Sequence, residues 1–141
     1  MSFDIFVYLQ DSRLPSRDDW QRAIDAKGFD LHLDDFSPRT QTGFLPCKME
    51  GNDCGFEYLF YAIEPDEIEE TDPLQVGTRD RVVTFTIHSS KLDCRAATTA
   101  AAVLAELADG VFFDPQSGES ATANEVFVLL AEMEKSGRQR R

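Results

Sequence analysis

Side chains suited to catalysis or metal binding are few here, with 2 His and 3 Cys in 141 residues, and they fall into a handful of groupings. His88, Ser89, Ser90 and Cys94 lie where a strand should end and a helix begin. Backbone N–H groups converge at such a junction, so an anion is favoured there and a thiol's pKa is lowered. A Cys–His nucleophilic pair is one chemistry that this spacing offers. The competing reading is structural: the two serines serve as helix caps, and a Cys one turn into an alanine-rich helix packs as a small hydrophobe.

Asp30, His32 and Asp34 share one strand face by period 2 and could present oxygen and nitrogen ligands. No second cluster completes a site, so they read as the wet side of a half-exposed strand, and no metal is expected. Asp114, Gln116 and Glu119 gather around Asp-Pro and Ser-Gly, which is turn chemistry. Glu64, Asp66, Glu67, Glu69, Glu70 and Asp72 crowd together around Pro65 and Pro73. Such a run is either a solvated loop or a contact surface for a basic partner. The signatures of P-loops, dinucleotide folds, nucleophile elbows, zincins and paired C-x-x-C sites are missing, so no cofactor is expected.

The element that must position these groups runs from Val82 to Pro115. Val83, Phe85 and Ile87 alternate with Thr84, Thr86 and His88, which is the pattern of a strand. Leu92, Ala96, Ala100, Val103, Leu104 and Leu107 then follow helical spacing, widened by Ala97, Ala101, Ala105 and Ala108. So many small side chains predict a helix seated close against a sheet. Gly110 stops it, and Val111, Phe112 and Phe113 resume an apolar run. Strand, helix and strand of this length predict a right-handed crossover joining a neighbouring parallel pair.

Around this unit the chain predicts a strand at Phe3, Ile5, Val7 and Leu9, then a helix capped by Ser16 and closed by Lys27-Gly28. Phe29, Leu31 and Leu33 mark a second strand, and residues 35–42 a loop. GFLPCKME and GFEYLFYAIE make a hairpin with its turn around Gly51-Asn52-Asp53. Pro46 lacks a ladder donor, which predicts an edge strand. A last amphipathic helix starts near Ala123, with residues 136–141 expected as a frayed basic tail.

The size suits a single domain spanning 1–141. A net charge of −12 argues against binding nucleic acid through its phosphates. The N-terminal MSFDIFVYLQ does not read as a secretory signal, and no apolar run approaches a membrane span. An odd cysteine count without a disulfide framework suits a reducing cytosol; Cys47 and Cys54 flank a turn, and their pairing is the minor alternative, reserved for an exported protein.

Two phrases, GFLPCKMEGNDCGFEYLF at 43–60 and LAELADGVFFDPQSGE at 104–119, resemble a group of small bacterial proteins, some of them similar to immunity proteins that neutralise toxins of competing bacteria. The resemblance implies a bacterial cytosolic protein of no assigned reaction, and no functional residues are carried over from it. The expected fold is α+β: a mixed, mostly antiparallel sheet of about five or six strands, in the order β-α-β-β-β-β-α-β-α, with two or three helices mainly on one face. The expected function is a non-catalytic acidic binding protein, a bacterial immunity-type inhibitor of a basic toxin such as a nuclease. The alternatives are an enzyme or anion-binding domain at His88–Cys94, and a subunit that pairs with its own copy through aromatic strand faces.

Overall fold

The structure, a computed structural model of the chain, describes residues 3–63, 77–88 and 90–139, with side chains as far as Met133. Ile5, Val7 and Leu9 alternate with more polar or aromatic neighbours to form β1, Phe3–Leu9. A 3-10 turn at Asp11–Arg13 leads into helix α1, Arg17–Ala26. Ser16 caps α1, its Oγ accepting from the Asp19 N–H at 3.1 Å. Strands β2 (Leu31–Leu33), β3 (Gly43–Met49), β4 (Asn52–Ala62) and β5 (Arg81–Ile87) follow. Helix α2 (Lys91–Leu107), strands β6 (Val111–Asp114) and β7 (Glu119–Ala121), and helix α3 (Ala123–Gln139) complete the described chain.

The strands form one seven-stranded sheet in the order β2-β3-β4-β5-β1-β6-β7. All the neighbouring pairs are antiparallel. The three helices share one face, where their side chains join a single apolar core with Ile5, Val7, Leu45, Phe56, Phe85 and their strand-mates. The α+β class and the one-sided placement of helices are as expected.

Alanines dictate how α2 packs. Ala96, Ala97, Ala100, Ala101 and Ala102 are fully buried, and the helix lies directly over β1, β4 and β5 with α1 and α3 beside it. Trp20 of α1 fills the space at its flank, donating Nε1–H to the Ala100 carbonyl at 3.1 Å. The Trp20 ring meets Phe36, Tyr58 and Phe85 at centroid distances near 6 Å. At the far end Lys27 joins all three helices, reaching Glu106 of α2 at 2.8 Å and standing over the Phe127 ring of α3.

Several expectations need correction. β5 and β6 are not neighbours: both pair with β1, which lies between them. They run the same way, so α2 bridges two parallel strands across an interposed antiparallel one. β1 carries apolar residues on both faces, which fits it for the centre of a sheet. β3 is not an edge strand either, because β2 pairs outside it. Pro46 is tolerated because its missing N–H faces β2 beyond the end of that strand, and the Asp34 N–H donates to the Pro46 carbonyl at 3.2 Å.

The hairpin turn falls on Glu50–Gly51, one residue earlier than the composition suggests, since Met49 pairs with Asn52. Both turn residues have positive φ, 54° and 79°, as a two-residue type I′ loop demands. β7 is an additional strand, and α3 takes in residues 136–139 of the expected tail. Glu64, Asp66, Glu67, Glu69, Glu70 and Asp72, together with Ser89, lie outside the described residues.

Candidate functional site

Period 2 sorts the strand residues onto two faces, and among the described residues no helix covers the second. There the β1 side chains Phe6 and Tyr8, Val82 of β5, Tyr61 of β4, and Val111 and Phe113 of β6 pack together with Ile63. Phe6, Tyr8 and Phe113 form the aromatic centre, with ring centroids 6.0–6.3 Å apart. Tyr8 and Val82 are buried within it. Two large side chains beside this cluster remain open to solvent: Leu59 is 42 % exposed and Phe44 57 %.

A polar row crosses the same face. Register aligns Phe44 with Glu57, Glu57 with Thr86, and Thr86 with Asp4. The Thr86 hydroxyl donates to the Asp4 carboxylate at 2.7 Å, and the His88 Nε2 lies 3.1 Å from the Glu57 carboxylate. Gln116 anchors the rim: with its amide oriented to satisfy both groups, it donates to the Asp4 carbonyl at 3.1 Å and accepts from the Asp4 N–H at 3.0 Å. Nearer the β2 edge come Lys48 and Asp53, separated by 3.9 Å, and His32, whose Nε2 is 3.2 Å from Asp30. The strand positions of this face carry the carboxylates of Asp4, Asp53 and Glu57 against one ammonium, that of Lys48, which pairs with Asp53.

The groupings singled out from spacing alone are dispersed. His88 turns to Glu57 on the face away from the described helices. Cys94 packs against the core on the other side of the sheet, where burial raises its pKa while a hydrogen bond with Thr98 partly offsets the rise. Ser90 caps α2, its Oγ accepting from the N–H groups of Leu92 and Asp93 at 3.2 and 3.3 Å. Asp93, in the first turn of α2, accepts from the Gly55 N–H at 3.0 Å. The helix start therefore already carries its own negative charge and its own caps, which disfavours an incoming anion. No group of His, Cys, Asp and Glu among the described residues could hold a metal ion. Asp114 organises the β6–β7 turn, its Oδ1 accepting from the Gln116 N–H at 2.9 Å and its carbonyl from Gly118 at 2.8 Å.

Three features were not anticipated. Thr122 and Glu125 form a reciprocal capping box at the start of α3, a T-x-x-E pattern visible in the sequence. Buried Gln21 acts as a substitute strand at the outer edge of β2, donating to the Leu31 carbonyl at 2.7 Å and accepting from the Leu33 N–H at 2.8 Å. The Phe44 ring lies over Gly55, where an added Cβ would meet Cζ at 2.3 Å and the Leu45 carbonyl oxygen at 2.7 Å. The first left a sequence signal; the other two depend on which strands become neighbours.

No helix is long and apolar enough to cross a membrane among the described residues. In comparison with known proteins, the chain matches no protein-family model, no curated protein and no solved structure.

Proposed function

We propose that this is a non-catalytic, acidic binding protein of the cytoplasm whose partner is a basic protein, in the manner of an immunity protein that neutralises a toxin. The observation that supports this reading is the pair of exposed apolar side chains on the sheet face that none of the described helices covers. Exposed Phe44 and Leu59 stand beside the carboxylate of Glu57 on a chain of net charge −12. Apolar anchors within an acidic surround suit a partner presenting apolar contacts ringed by Lys and Arg. Excess negative charge would speed encounter with such a partner and repel acidic competitors. Against a nucleophilic pair at His88–Cys94, His88 turns to Glu57 on one side of the sheet and Cys94 packs against the core on the other.

Affinity capture from extracts of the source organism tests the reading, using the intact chain beside Leu59→Arg and Glu57→Lys variants. A basic protein should be retained by the parent chain, be released as salt rises, and be reduced about tenfold or more by either variant. Identical retention by all three proteins would refute this face as the contact. Charge reversal of Glu67, Glu69 and Glu70 asks separately whether the acidic segment contributes. Solution mass over a dilution series distinguishes a foreign partner from a second copy, and the monomer is expected.

A further inference from the structure

We propose that Cys47 and Cys54 form a cross-strand thiol pair that closes to a disulfide by exchange with a small disulfide of the oxidised-glutathione class, fastening the β3–β4 hairpin. The two residues are direct partners in the antiparallel register. Their Sγ atoms are 3.3 Å apart as free thiols. Directly opposed residues of an antiparallel pair have Cα atoms about 4.5–5.5 Å apart, within the roughly 4.4–6.8 Å that a disulfide spans. Closing the pair brings the sulfurs from 3.3 Å to about 2.05 Å.

The two thiols differ in access, and that sets the order of events. Cys54 is half-buried and Cys47 is buried. Cys54 therefore gives up its proton to solvent and attacks the small disulfide, expelling one small thiolate and leaving a mixed disulfide on its own sulfur. The Cys47 thiolate then attacks the Cys54 sulfur and releases the second small thiol. Two protein S–H bonds and one small S–S bond are exchanged for one protein S–S bond and two small S–H bonds, and the protein is oxidised as the small disulfide is reduced. Burial raises the pKa of both thiols, and the nearby Asp93 carboxylate adds to the rise. The reaction should therefore be slow near neutrality and accelerate with pH. Cys94 packs on α2 among core residues and has no place in this pair.

The inference is independent of the binding partner. It is tested on the intact, folded protein by equilibration in glutathione buffers of graded oxidised-to-reduced ratio, followed by acid quench, alkylation in denaturant and intact-mass and peptide analysis. The expected product has lost two hydrogens and two alkylation sites, its linked peptides contain Cys47 and Cys54, and Cys94 is still alkylated. The Cys94→Ala protein should behave identically, whereas Cys47→Ser should stop at the glutathione adduct on Cys54. A parent protein that stays fully reduced, halts at that adduct, or links through Cys94 overturns the proposal.

Discussion

Gly55 occupies a strand interior, where glycine ordinarily weakens pairing, and its neighbours explain why it is there. The Phe44 ring and the Leu45 carbonyl leave no volume for a methyl group. Gly55→Ala should destabilise the protein by about 1–3 kcal/mol through overpacking. Adding Phe44→Ala should recover only part of the loss, because the Leu45 carbonyl belongs to the backbone of β3 and remains; denaturant midpoints of the single and double variants check this. The buried acids make a second prediction. Burial raises the pKa of Cys47 and of Tyr58, whose hydroxyl donates to the Pro38 carbonyl. In the unfolded chain these groups ionise near about 8.5 and 10, while the folded protein keeps them neutral to higher pH. Their stabilising contribution is complete below those values and is lost as pH climbs toward the folded ones, with a slope of at most about 1.4 kcal/mol per pH unit for each group. Unfolding free energies between about pH 7 and pH 10 should fall accordingly, and Cys47→Ala should flatten the first part of the decline.

At the scale of elements, α2 is held by smallness. Ala101 is fully buried in a helix that lies directly on the sheet, so Ala101→Leu should force the helix outward and cost roughly 1–3 kcal/mol or more. The matching exposed change, Leu129→Ala on α3, should alter stability by under about 0.5 kcal/mol, since Leu129 is 52 % exposed. Thermal denaturation of the two variants measures the contrast. Alternation in β1, β4 and β5, the Ser16 and Ser90 caps and the alanine pattern of α2 were all legible in the sequence, because each depends on residues close along the chain. The insertion of β1 between β5 and β6 was not, because it joins residues about 80 positions apart on one side and over 100 on the other. The second face of the sheet shows in the sequence as Phe6 and Tyr8 between the core positions of the first strand, and as Leu59, Tyr61 and Ile63 between those of the second hairpin arm. Recognising Glu57, Thr86 and Asp4 as one row requires the register of three strands.

For the molecule as a whole, the three described helices lie on one side of the sheet, and the other side carries the exposed Phe44 and Leu59. Its charge of −12 predicts association that weakens as ionic strength rises above about 0.15 M, where the screening length falls below roughly 8 Å. The most direct test of this account is side-chain footprinting of the free and partner-bound protein by hydroxyl radicals, read out residue by residue. Binding should protect Phe44 and Leu59 and leave Val128 and Leu129, on the outer surface of α3, as reactive as before. Protection confined to α3, with Phe44 and Leu59 unchanged, would contradict the claim that the face carrying Phe44 and Leu59 is where this protein meets its partner.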